Sequence, residues 1–195
     1  MTIALLAGAS GSGKSRVARL TGCPRVALDD FYHDGDHADL PHTLGIVDWD
    51  DVRSWDLDAA VAALVELDRS GTSRVPVYRI AGNSRVGWHE VTARPGEVVV
   101  AEGIFAPDLV GPCRAARLEV VALWLDRPRT LTAVLRFVRD LREARKPVWV
   151  LVRRGLALWW VEPAQRRRAV AAGCRPLSMR ATRELITRLR TGVPR

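Results

Sequence analysis

Cysteine is scarce in this sequence, lysine scarcer, and long apolar runs are missing. The three cysteines, Cys23, Cys113 and Cys174, are odd in number and widely spaced, and no C-x-x-C pair occurs. Zinc-ribbon and dithiol redox readings therefore fail, and reduced thiols in a cytoplasm are expected. Lys14 and Lys146 are the only lysines among 30 basic residues. No apolar stretch approaches the ~20 residues that span a bilayer. The first residues carry no basic segment and no cleavage site, so IALLAG reads as a strand, not a signal peptide. Low-complexity tracts and internal repeats are absent as well.

What is present can build a sizeable core: 48% of the 195 residues are hydrophobic and 27% charged. That length predicts a single domain over 1–195. The net charge of +8 is uneven. Residues 1–112 hold 10 basic and 16 acidic side chains, whereas 113–195 hold 20 and 6. A basic half fits either a nucleic acid or a small polyanion.

Apolar runs alternate with helical patterns. TIALLA (2–7), RVALDD (25–30), EVVVAEGIF (97–105) and LEVVALWLD (118–126) read as buried strands, and CRPLSM as a last edge strand. In 51–71, Leu57, Ala60, Val61, Leu64 and Val65 recur at helical spacing before Ser70-Gly71. Segments 129–145, 147–172 and 181–190 also read as helices, and 33–50 as a polar loop. VPVYRI and VGWHEV flank a Gly82-Asn83 turn and predict a hairpin over about 75–91. Strands alternating with helices predict an α/β fold with a mainly parallel central sheet between two helical layers.

The first strand runs into Gly8-Ala9-Ser10-Gly11-Ser12-Gly13-Lys14-Ser15, a match to G-x-x-x-x-G-K-[ST] in the required strand-to-helix context. In such a loop the backbone N–H groups and the helix N-terminus cradle phosphates. Gly8, Ser10, Gly11, Ser12 and Gly13 would form the cradle, Lys14 would reach the β- and γ-phosphates, and Ser15 would meet Mg²⁺. The Asn-Lys-x-Asp signature that specifies guanine is absent, which leaves an ATPase or a kinase. Ligands of open α/β sheets gather at the carboxyl ends of strands. Asp29 and Asp30 end the second strand and Glu102 the third, so each is a candidate for proton transfer or for holding Mg²⁺.

GASGSGKS, LDDFY, VDWDD, PVYRIAGNSR, AEGIF and RFVRDLREARK occur in the order and spacing of the uridine kinase family, within the phosphoribulokinase and pantothenate kinase group of P-loop kinases. The sequence resembles that family over about residues 3–165. The resemblance implies an ATP- and Mg²⁺-dependent kinase acting on a hydroxyl of a nucleoside-like small molecule. It implies Asp29 as catalytic carboxylate, Trp49 and Asp50 as base and ribose contacts, and Tyr32, Tyr78 and Arg85 on the acceptor side. Glu102 matches the Glu of a Glu-Gly-Ile element. Arg136 and Arg139 match arginines of a helical lid, here about 129–147, that closes on the triphosphate.

The pattern also departs from the family. Arg79 stands where Asp is usual, Asn83 near the usual His, and Glu143-Ala144-Arg145-Lys146 where Glu-Arg-Gly-Arg is common. Arg79 and Asn83 join the acceptor-side candidates. Two alternatives stay open: a kinase for another small alcohol, pantothenate- or sugar-like, and a nucleic-acid-associated P-loop ATPase using the basic half. No RNP, zinc or helix-turn-helix signature supports the second. Trp159, Trp160 and Val161 read as core or as a face for a homo-oligomer. His33, Asp34, Asp36, His37 and His42 read as a solvated loop beside the acceptor, since no metal-binding spacing links them.

Overall fold

A computed structural model describes residues 1–43, 45–142 and 148–192, with side chains described except at 139–158. The chain opens with β1 (Thr2–Ala7), the glycine-rich turn and α1 (Lys14–Thr21), then β2 (Arg25–Ala27) and a 3-10 turn, Leu28–Phe31. The polar loop holds a small pair, β3 (His42–Thr43) and β4 (Ile46–Val47), that its composition did not reveal. Next come α2 (Leu57–Ser70), the hairpin strands β5 (Thr72–Arg79) and β6 (Ser84–Thr92), β7 (Val98–Glu102) and α3 (Val110–Ala115). β8 (Glu119–Leu125), α4 (Arg129–Arg142), α5 (Val148–Ala171), β9 (Arg175–Leu177) and α6 (Met179–Thr191) complete the order.

The central sheet runs β2-β7-β1-β8-β9, and every pairing in it is parallel. Side chains of a strand alternate between its two faces. Ile3, Leu5 and Ala7 of β1 accordingly face a core shared with Ala60, Ala63, Leu64 and Leu67 of α2. Ala4 and Leu6 face a second core with Val17 and Ala18 of α1 and Ile186 of α6. Burial on both faces explains why the central strands are continuously apolar, without the polar alternation of a half-exposed strand.

The expected helix over 51–71 begins only at Leu57. Asp56 caps it by accepting the Ala59 amide at 2.9 Å, a contact worth about 1 kcal/mol. Ahead of it, Asp51 caps a separate 3-10 turn by accepting the Arg53 amide at 2.9 Å. Two competing caps divide the segment. The hairpin carries a bulge between Val77 and Tyr78, and its turn ends at Asn83 in the left-handed region, φ 45°. A bulge re-aims the side chains that follow it.

Core placement is excluded for Trp160, which is 72% exposed. Its neighbour Trp159 lies under the Arg129 guanidinium, 4.3 Å from the ring centroid. All three cysteines are buried free thiols, and burial pushes Cys113 and Cys174 up to about 11. Among the described residues no helix is long and apolar enough to cross a membrane.

Candidate active site

Parallel pairing aligns the carboxyl ends of the strands. Leu6 of β1 is level with Glu102 of β7, and Glu102 with Ala27 of β2. The glycine-rich turn, the LDDF turn and Glu102 therefore emerge side by side, which is why three segments far apart in sequence form one site.

In the phosphate loop, Gly11 and Gly13 sit at φ 85° and 97°, a region costly for residues with a Cβ. A Cβ on Gly11 would lie 2.9 Å from the Cβ of Arg136, so α4 packs directly on the loop tip. Lys14 is buried, and its ammonium donates to the carbonyls of Gly8 at 2.9 Å and Ala9 at 3.3 Å. Ser12 is buried, and among the described residues its hydroxyl has no hydrogen-bond partner. Such an orphaned group on a ring of backbone amides fits a phosphate oxygen. Ser15 lies near enough to Glu102 to favour its charged form.

The acidic groups differ in use. Asp29 is exposed, and its Oδ1 lies close to Gly103, 3.1 Å from where a Cβ there would stand. Asp30 is half-buried and accepts the Tyr78 amide at 3.1 Å, which ties the hairpin to the sheet edge. Burial raises the Asp30 carboxyl above its ordinary range, against the lowering effect of that amide. Glu102 is buried, and desolvation raises it against the opposing pull of Lys14 and the nearby Ser15 side chain. Arg25 pairs with it at 3.2 Å.

Aromatic rings gather around Tyr32, three residues after Asp29. Tyr32 meets Trp49 at 5.6 Å, Tyr78 at 5.8 Å and Phe105 at 5.9 Å between ring centroids. The Tyr32 hydroxyl donates to the Trp49 carbonyl at 3.1 Å, and the Tyr78 hydroxyl to the His33 carbonyl at 3.1 Å. Burial pushes the Tyr78 phenol up to about 12. Asp50 follows Trp49 and is exposed.

The other acceptor-side candidates lie at the hairpin end. Arg79 and Asn83 are exposed. Asn83 works through its backbone, its carbonyl accepting the Gly35 amide at 2.6 Å. Arg85 stacks its guanidinium on Trp88, 4.9 Å from the ring centroid, beside α2. Its amide donates to Asp34 at 2.5 Å. Among the described residues no cluster of His, Cys, Asp and Glu could hold a metal ion, the 33–42 loop included.

Arg136 stands against the phosphate loop. It is 4% exposed, and its Nε donates to the Ser10 carbonyl at 2.9 Å. The side chain of Arg139 and residues 143–147 lie outside the described residues. Two cations at the site went unread in the sequence. Arg127 follows Asp126 at the end of β8 and donates to the Ser12 carbonyl at 3.1 Å. Its position at a strand's carboxyl end was the available signal. Arg25 carried none, because its role depends on which strand lies beside β7.

The geometry agrees with comparison to known proteins. Residues 3–145 match the model of the Phosphoribulokinase / Uridine kinase family. The chain belongs to this family. A uridine kinase of Histophilus somni (strain 2336) is 26% identical over 182 residues, covering 84% of this chain and 82% of that protein. One from Macrococcus caseolyticus (strain JCSC5402) is 31% identical over 150 residues, covering 73% and 70%. Among solved structures, a putative fructose transport system kinase from Silicibacter sp. TM1040 superposes with a TM-score of 0.61 at 19% identity. It covers 90% of this chain and 86% of its own, a likeness of fold. Membership in the family makes the protein an ATP-dependent kinase, and the site above is where its P-loop and strand-end acids converge.

Proposed function

We propose that this kinase transfers the γ-phosphoryl group of ATP to a hydroxyl of a nucleoside-like acceptor. The observation that carries the reading is Asp29: an exposed carboxylate in the turn after β2, next to Gly103 and close to Glu102, three residues before Tyr32, whose ring meets Trp49 and Tyr78. A planar ring can stack on Trp49, and Asp50 can accept from two neighbouring hydroxyls. Asp29 takes the hydroxyl proton as the acceptor oxygen bonds to the γ-phosphorus and the bond to the β-phosphate oxygen breaks, releasing ADP. Lys14 and Arg136 supply positive charge at the phosphates, with Arg139 assigned the same role.

The donor set suits Mg²⁺, a hard cation that prefers oxygen ligands. Ser15 would hold it directly and Glu102 through water. The ion when bound would neutralise charge on the β- and γ-phosphate oxygens.

Arg79 favours a second reading of the acceptor. It is exposed at the hairpin end and offers only donors where the resembling family places an acid. A site built for one set of polar edges rejects a substrate that leaves them unpaired by up to ~10⁴–10⁵. Uridine and cytidine should therefore be poor acceptors, and a diol or other small alcohol with an anionic or acceptor-rich group a better one. ADP formation by the purified protein, measured against a panel of nucleosides and neutral and anionic small alcohols, tests both readings. No acceptor raising the rate above basal hydrolysis would sink the proposal. A kcat/KM for uridine near ~10⁵ M⁻¹s⁻¹, ordinary for an enzyme, would show that Arg79 and Asn83 lie outside the pocket.

A further inference from the structure

Positions 159, 162 and 166 of α5 share one helix face. Each meets a group of α4 or of the turn after β8. Arg129 stacks on Trp159 at 4.3 Å, Arg136 stands 4.0 Å from Glu162, and Arg166 donates to both oxygens of Asp126 at 3.1 and 2.9 Å. The middle pair differs from its neighbours in being buried, with Arg136 4% and Glu162 7% exposed.

A buried ion pair is a poor device for stability. Apolar side chains of similar volume hold two helices together as well or better, because two charges need not be desolvated. Glu162 is poorly compensated even by that standard. At 4.0 Å its contact with Arg136 is too long for a hydrogen bond, and among the described residues its Oε2 accepts none. Packing alone does not account for a carboxylate here.

The arrangement does have a direction. The Nε–H of Arg136 is fixed on the Ser10 carbonyl at the tip of the phosphate loop. The guanidinium is a rigid planar fork, and a negative charge near its terminal nitrogens favours the orientation that points them toward it. Glu162 supplies that charge from α5, one residue before Pro163. Proline has no amide hydrogen for the carbonyl four residues back, so regular helix bonding is interrupted next to Glu162.

We propose that Glu162 is a positioning residue for phosphoryl transfer, its carboxylate orienting the Arg136 guanidinium on the phosphate loop. The proposal rests on the role given to Arg136 under Proposed function. Glu162 itself touches no reacting atom.

The test compares full-length wild type with Glu162→Gln, Glu162→Asp, Arg136→Ala and the Glu162→Gln/Arg136→Ala double variant, using ATP and whichever acceptor the panel identifies. Glu162→Gln should lower kcat about tenfold while the KM for ATP moves less than about threefold, the pattern of a contact that matters in the transition state. Glu162→Asp keeps the charge and should recover most of the loss. In the Arg136→Ala background, Glu162→Gln should cost nothing further, since coupled residues are non-additive. A kcat within twofold of wild type, or an equal loss with and without Arg136, overturns the proposal.

An acceptor-independent readout separates this from the acceptor question. The Arg136 Nε proton, assigned by its loss in Arg136→Ala, should exchange slowly in the wild type and in Glu162→Asp, and about tenfold faster in Glu162→Gln. Equal exchange in all three sinks the positioning role even if no acceptor is found. Should Arg136→Ala keep wild-type kcat while Glu162→Gln does not, Arg136 is the residue misassigned and the proposal falls with it.

Discussion

Asp29 and Asp30 leave the same strand end, and their surroundings divide their work. Asp30 is spent on the Tyr78 amide at 3.1 Å, while Asp29 stays exposed beside Gly103. Asp29→Asn should cost roughly 10²–10⁴ in kcat and leave ATP affinity nearly unchanged, the usual worth of a positioned base. Asp30→Asn keeps an oxygen for Tyr78 and should keep kcat within a few-fold. Steady-state kinetics and an ATP titration check both, and the reverse pattern would assign the base to Asp30. The pair also has a pH signature. Burial raises the Asp30 carboxyl in the folded state, so the native protein binds a proton there more tightly than the unfolded chain does. Its contribution to stability is present below the ordinary carboxylate range, about 3.9, and is lost as pH rises through the raised value. Asn does not titrate. The melting temperature of Asp30→Asn should therefore gain on that of wild type as pH climbs from about 4 to 7. A constant difference across that range would show that Asp30 titrates alike in both states. The doublet was visible in the sequence. The family resemblance singled out Asp29, but the Tyr78 contact that occupies Asp30 was not legible, because it comes from a hairpin 48 positions away.

At the scale of elements, legibility followed the reach of the forces involved. The phosphate loop is local: its glycines, Lys14 and the strand-to-helix context lie within a few residues, and pattern alone located it. The central strands announced themselves by continuous apolar runs, because both faces are buried. The start of α2 was misjudged, since Asp51 and Asp56 each cap a turn and apolar spacing does not rank caps. The resemblance pointed to a helix closing over the triphosphate, but the direct contact of α4 with Gly11 was beyond sequence reasoning, and it yields a sharp expectation. Gly11 has φ 85°, and a Cβ there would meet the Arg136 Cβ at 2.9 Å and the Thr132 carbonyl at 3.2 Å. Neither obstacle is the far end of a flexible side chain. Left-handed backbone alone costs an L-residue about 1–2 kcal/mol. Gly11→Ala should lose at least that much stability and should weaken ATP binding by pushing α4 off the loop. Gly96→Ala is the control: its φ is 77°, but nothing stands within 4 Å of the added Cβ. Thermal unfolding and ATP titration of the two variants separate backbone strain from the clash. Equal ATP affinity in both would show that α4 does not support the loop.

Over the whole molecule, the uneven charge finds internal uses. Several arginines of the basic half are committed within the fold. Arg127 and Arg136 hold carbonyls of the phosphate loop, and Arg129 covers Trp159. Arg166 and Arg168 pair with Asp126 and Asp108, and Arg180 and Arg188 with Glu184. Asp108 belongs to the acidic half, so part of the imbalance read from the sequence is the two halves neutralising each other. Charge used this way converges on the phosphate loop or is matched at the surface. The rival reading, an ATPase driven by nucleic acid, makes an opposite prediction. Such a protein would hydrolyse ATP faster with DNA or RNA, and the gain would fall steeply with salt as counterions compete for the phosphates. For this kinase, ADP formation should be unchanged within twofold by single-stranded DNA or RNA at low and at moderate salt, and it should rise only with a small hydroxyl acceptor. Several-fold stimulation by RNA that disappears between about 50 and 200 mM salt would mean that the arginines act together as a polyanion surface, and that the acceptor is not a small molecule.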